Sequence, residues 1–134
     1  MLPFEFVIAG APVSHQTRSR ARRRAWVEQL RAAVTARWPA DDLPVTIAVH
    51  VQITHVFPGV SGDLDNLAKP VLDALKGLAY EDDRQVTDLT MRKRDLTRDL
   101  RVEARWPTLI AAFNQGGEFL HVLLEEAPDQ KVVA

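Results

Sequence analysis

A chain of 134 residues suffices for one domain with a real core, and 46% hydrophobic with 26% charged residues is a composition that does not demand disorder. The absence of cysteine excludes a disulfide framework and a thiolate metal site, and no long apolar run suggests a membrane span or signal peptide, so a cytoplasmic location is expected. A net charge of -1 argues against a nucleic-acid partner unless the cations are concentrated locally.

Residues 4–8 are β-branched and aromatic and end at Gly10-Ala11-Pro12, which predicts a strand. From Ser14 to Arg24 the chain is polar, carries Arg18, Arg20, Arg22, Arg23 and Arg24, and has no acidic residue. This stretch opens a helix with Trp26, Val27, Leu30, Ala33 and Val34 on its apolar face, ending by Trp38 ahead of Pro39. A solvated helix face accounts for scattered arginines. Crowded cations repel one another, so a polyanionic partner is the better explanation.

Residues 45–53 alternate strictly, with Val45, Ile47, Val49, Val51 and Ile53 on one face, and form the strongest predicted strand. His50 and His55 have opposite parity along it, and no His-rich motif surrounds them, so neither reads as a direct metal ligand. His55 lies toward the end that leads to Asp63, where it is placed for a substrate contact or for orienting another group. The loop that follows, Pro58-Gly59-Val60-Ser61-Gly62, is uncharged.

Residues 63–86 organise the rest. Asp63 and Asp65 precede a run in which Val71, Leu72, Leu75 and Leu78 fall at helical spacing, and Asp82 and Asp83 follow it. A helix is expected from about residue 67 to 76, stopped by Gly77. Pro70 is tolerated without penalty only in a first turn, so the helix should begin near Asn66 or Leu67, with Asp65 or Asn66 at the cap. Lys69 and Asp73, four apart, share a face and would pair, or Lys69 would reach toward the carboxylates and a phosphate. Taken singly, Asp63 and Asp65 also read as capping and turn residues, and Asp82 and Asp83 as plain loop. Together, clustered like charges call for a cation or a strong field to offset their repulsion. All-oxygen ligands suit Mg2+ or Mn2+, the equipment of phosphoryl transfer.

Beyond this stretch Thr87, Leu89 and Met91 alternate with Asp88, Thr90 and Arg92, and Leu100, Val102, Ala104 and Trp106 alternate with Arg101, Glu103 and Arg105. Two strands are expected, joined as a hairpin through residues 95–99. Arg92, Lys93, Arg94, Arg98, Arg101 and Arg105 make it basic, either a second phosphate-contacting surface or a soluble sheet face. After Pro107 come an apolar run over residues 108–113, a Gln115-Gly116-Gly117 turn, a second apolar run over 119–124 and an acidic end expected to fray. No internal repeat occurs. No Gly-rich phosphate loop of the Walker or Rossmann kind is present, which speaks against a nucleotide cofactor.

The set Asp63, Asp65, Asn66, Lys69, Asp73, Ala74, Leu75, Tyr80, Asp82, Asp83, Gln85 and Val86 resembles the signature of the RusA family of Holliday junction resolvases. The resemblance implies a homodimeric, magnesium-dependent endonuclease that cuts branched DNA, the four-way junction above all, in recombination and repair. It places the family's metal-binding aspartates on Asp63, Asp65 and Asp83 and its catalytic lysine on Lys69. Asp82 is left without a role, and Asp73 would orient Lys69 or the helix. Some relatives carry basic residues just ahead of the first aspartate, where this chain is uncharged.

The resulting expectation is an α+β domain, a mixed sheet backed by two main helices in the order β-α-β-α-β-β. The nuclease unit would span residues 1–106, and residues 107–134 would form an extension packed on the same domain or on a dimer partner. Paired nicks in opposite strands make a two-fold dimer the economical design. Two other functions fit the residues: a nuclease of the same chemistry on other branched or phage-replication DNA, and a non-catalytic DNA-binding module with a structural metal site.

Overall fold

The computed structural model describes residues 1–13 and 17–134; Ser14, His15 and Gln16, which open the predicted basic stretch, lie outside the described residues. Alternation of aromatic and branched side chains produces β1 (Phe4–Ala9), whose Phe4, Phe6 and Ile8 are buried. The Ser19 hydroxyl accepts from the Arg22 amide at 3.2 Å and starts α1 (Arg20–Arg37). Trp26, Leu30 and Val34 form its buried stripe, and Trp38 closes it just before Pro39, as expected.

The alternating run becomes β2 (Val49–Phe57), four residues later in the chain than expected at its start and four at its end. Residues 45–48 are diverted: Val45 bridges to Tyr80, and the Gln85 amide donates to the Val45 and Ile47 carbonyls at 2.8 and 2.9 Å. Ile47, expected on the core face, is therefore 45% exposed.

The next helix, α2 (Asp65–Leu75), begins earlier than predicted. Neither Asp65 nor Asn66 is its cap; Leu64 occupies that position with helical backbone angles and no side-chain cap. Pro70 therefore sits in the second turn, inside the helix. An interior proline costs about 3 kcal/mol. Burial of Leu67, Val71 and Leu75 outweighs it, since each apolar side chain removed from water contributes about 1.5–3 kcal/mol. At the far end Gly77 adopts φ +82, the left-handed conformation that stops a helix, and its amide donates to the Tyr80 carbonyl at 2.7 Å.

A single 3-10 turn, Asp83–Gln85, leads into β3 (Val86–Asp95), which pairs parallel to β2. With α2 as the crossover, β2 and β3 form one βαβ unit. The predicted hairpin partner of β3 does not form: residues 100–106 belong to no strand, despite their alternation. The Asp95 carboxylate accepts from the Gly59 and Thr97 amides and the Thr97 hydroxyl and ends β3 there. The chain then crosses the sheet face toward α3 (Pro107–Gln115), which packs near β1, instead of turning back along β3.

β4 (Phe119–Glu126) lies between β1 and β2, antiparallel to both, in the order β1-β4-β2-β3. Residues 107–134, expected as an extension, thus supply a third helix and an interior strand of the same sheet. The α+β class with a mixed sheet holds. One face of the sheet packs on α1 and α2 through Phe6, Leu30, Val51, Ile53, Val71 and Leu124. The other carries a smaller cluster of Val56, Ala112 and Phe119 under α3. Among the described residues no helix is long and apolar enough to cross a membrane.

Candidate active site

In α2, Asp65, Lys69 and Asp73 recur every four residues and so lie along one helix face, each within a turn of the next. The opposite face of the same helix is the buried one, which fixes this polar stripe outward. Lys69 Nζ donates to Asp73 Oδ1 at 2.7 Å. That bond is the main reason the Lys69 pKa is raised, and the Asp73 and Asp83 charges add to it. Lys69 is thus a fixed cation near two carboxylates, although its side chain remains 54% exposed.

Asp83 reaches this stripe through Tyr80. The tyrosine is fully buried, and its hydroxyl lies 2.9 Å from Asp83 Oδ1 and 3.2 Å from the Leu72 carbonyl. It has one proton, which the charged acceptor attracts more strongly. Burial first, then the Asp83 hydrogen bond and charge, holds the phenol well above its ordinary pKa, so it stays a donor. Sequence reasoning noted Tyr80 in the motif without assigning it a role. The signal was its spacing, three residues before Asp83 and directly after the turn that ends α2.

Asp82 faces elsewhere. Its carboxylate accepts from the Arg84 amide at 2.9 Å, which lowers its pKa, and pairs with Arg84 Nε at 3.3 Å. Gln85 completes a capping box by accepting from the Glu81 and Asp82 amides at 2.8 and 2.9 Å. Asp82 and Gln85 therefore shape the turn that presents Asp83.

Asp63 stands in the exposed loop ahead of α2, beside a cavity of about 410 Å³ that it lines with His55, Leu67 and Glu118. His55 is buried and 2.6 Å from Glu118 Oε2, so it is held by a carboxylate from β4's approach. Asp65, exposed, is the first residue of α2, where the positive end of the helix dipole favours its charge. Asn66 follows, half-buried. Among the described residues no group of three or more His, Asp or Glu is placed to hold a metal ion together. The four aspartates do not close into a ready-made cage: Asp83 is tied to Tyr80, Asp82 to Arg84, and Asp63 borders a separate cavity.

The basic residues divide between two faces. Arg18, Arg20, Arg22 and Arg24 are exposed and Arg23 half-buried at the N-terminus of α1, which has no acidic residue in its first turn. Cations at that end oppose the helix dipole. A cleft between the helices places Arg23 and Arg24 beside Pro70 and Asp73, next to Lys69. Arg31 fastens the helices together by donating to the Asp73 and Lys76 carbonyls. Arg92 and Arg94, by contrast, register with Thr54 and Val56 on the sheet face away from α2.

The chain finds no match among the curated proteins. A family model described as endodeoxyribonuclease RusA matches residues 9–105, a span that contains the α1 arginines, the α2 stripe, Tyr80 and Asp83. The chain belongs to the RusA family of endodeoxyribonucleases.

Proposed function

We propose that this protein is a magnesium-dependent endodeoxyribonuclease that resolves four-way junctions by paired nicks, acting as a homodimer. The observation that carries the reading is the outward α2 stripe with Asp83 held against it by a buried tyrosine, flanked by arginines of α1. A row of outward carboxylates beside crowded cations adds nothing to the core; it suits a polyanion whose backbone must approach acidic groups. Asp63, Asp65 and Asp83 would hold the metal. Their oxygens match a hard cation, and Mg2+ commonly binds through one or two carboxylates with water and phosphate oxygens completing its shell. When bound, the ion activates water and stabilises charge on the phosphate and the leaving oxygen.

The chain's own residues do the rest. The Tyr80 hydroxyl orients the Asp83 carboxylate, Asp73 holds the Lys69 ammonium in place, and Lys69 offsets charge on the scissile phosphate. Arg20, Arg22 and Arg24 anchor flanking phosphates without reading sequence. A labelled four-way junction, a flap and a plain duplex, each incubated with and without Mg2+, test the reading. Symmetric, magnesium-dependent nicks in the junction are expected. Preferential cutting of the flap would keep the chemistry and replace the substrate, whereas tight binding without any cutting would leave a DNA-binding module.

A further inference from the structure

The sheet face turned away from α2 carries a second cavity, about 290 Å³, that the reaction described above does not use. Its floor is polar, formed by Gln52 and Thr54 of β2. Arg92 and Arg94 of β3 and Arg101 of the crossing segment line it, and its apolar part is made by Trp106, Leu109 and Phe113. Arg105 stacks on the Trp106 ring at 4.6 Å and fixes the indole's orientation. Arg94 donates to the Lys93 carbonyl at 3.0 Å, and among the described residues neither Arg92 nor Arg101 makes a salt bridge, although Asp99 and Glu103 also border the cavity.

Three guanidinium groups beside an aromatic surface and two hydrogen-bonding side chains match one chemical class: a nucleotide whose base is out of its stack. Arginine forks suit phosphate oxygens, aromatic rings suit base faces of any sequence, and amide and hydroxyl groups suit base edges. The volume lies at the lower end of small-ligand sites, enough for one nucleotide and too small for a base pair. We propose that this cavity captures one unpaired nucleotide of the DNA substrate, with its base against Trp106 and Phe113 and its phosphate on Arg92 and Arg101. The inference rests on the reading of DNA as the substrate and adds a second point of attachment on the opposite face of the sheet. It also gives residues 100–106 a reason to remain off the sheet edge: a strand there would leave Trp106 and Arg101 with no cavity to line.

Trp26 and Trp38 are buried and Trp106 is half-buried, so intrinsic fluorescence reports on the site. The full chain is titrated with single-stranded pentathymidylate and with a fully paired DNA duplex long enough to stay annealed. Saturable quenching by the single strand only is expected, lost in Trp106→Phe, with affinity at least about tenfold weaker and a flatter salt dependence in Arg92→Gln/Arg101→Gln at unchanged melting temperature. Those two arginines are exposed, so their replacement tests the cavity without challenging the core. No quenching by the single strand, equal quenching by duplex, or affinity indifferent to the arginine pair would overturn the proposal. Fluorescence that changes with protein concentration alone would do the same, assigning the face to self-association. Junction cleavage without quenching would remove the cavity and keep the nuclease; quenching without cleavage of any DNA would do the reverse.

Discussion

Replacing Tyr80 by phenylalanine isolates one bond. The ring keeps its volume in the core, where Tyr80 is fully buried, so no cavity forms and only the hydroxyl is removed. The Leu72 carbonyl keeps its helical partner, the Lys76 amide at 3.0 Å. Asp83 Oδ1 keeps none from the phenol, but the carboxylate is half-exposed and water can replace the donor. A hydrogen bond to a charged group contributes about 1.5–3 kcal/mol, and solvent access brings the net destabilisation toward ~1 kcal/mol. For a domain of this size that lowers the melting temperature by roughly 3–5 °C. Activity should suffer more, because an unoriented ligand carboxylate typically costs about 10–100-fold in metal affinity or rate. Junction cleavage titrated with Mg2+ at a temperature well below unfolding reads this as a higher half-saturating concentration. A lowered melting temperature with an unchanged Mg2+ titration would show that Tyr80 serves the core alone and that Asp83 is outside the site.

Neutralising Arg20, Arg22 and Arg24 together should weaken junction binding and reduce the slope of log affinity against log salt by about 0.9 for each phosphate that is no longer neutralised; an unchanged slope would return these arginines to a solvated face. Gln85→Ala removes two hydrogen bonds within the Asp83 turn and two that tie it to Val45 and Ile47 ahead of β2, and should destabilise by about 2–3 kcal/mol in urea unfolding. His121 is buried against Glu5 at 3.1 Å, and burial lowers its pKa despite that carboxylate. The unfolded chain therefore binds the proton first, so stability should fall as pH drops below about 6.5, and His121→Gln should flatten that dependence. At the other end of the scale the Tyr80 phenol is raised, so the unfolded chain loses its proton first and stability should decline above about pH 10, a decline absent from Tyr80→Phe.

Local signals located β1, α1 and α2, because each bears its own periodicity and stop: Gly10 after β1, Pro39 after α1, Gly77 after α2. The same signals misled where tertiary packing decided. Residues 100–106 alternate like a strand, yet the chain leaves β3, an edge strand, and crosses the sheet face to α3, which packs near β1. Conversely, the buried run of β4 belongs to an interior strand covered on both faces, which reads as continuous hydrophobicity instead of alternation. Its place between β1 and β2 has no local signature at all.

The candidate acidic residues stand out by type and spacing, and of the contacts expected among them the Lys69–Asp73 pair follows from a four-residue interval alone. What spacing could not give is how the carboxylates divide. Asp82 and Asp83 are adjacent in sequence, but a capping bond turns one toward Arg84 while the buried phenol draws the other toward α2. Nor could it place Glu118, which lies beyond the matched family span and reaches His55 only because β4 runs beside β2.

Asp65→Asn offers the most direct test of the site itself. The side chain is exposed and its replacement nearly isosteric, so folding should be untouched while a carboxylate proposed to hold the metal loses its charge. Cleavage of a labelled four-way junction in Mg2+, measured beside junction binding in EDTA, should show nicking abolished and binding retained, since repulsion toward phosphate also falls. Nicking at the wild-type rate by Asp65→Asn would contradict the account and move the chemistry away from the α2 stripe.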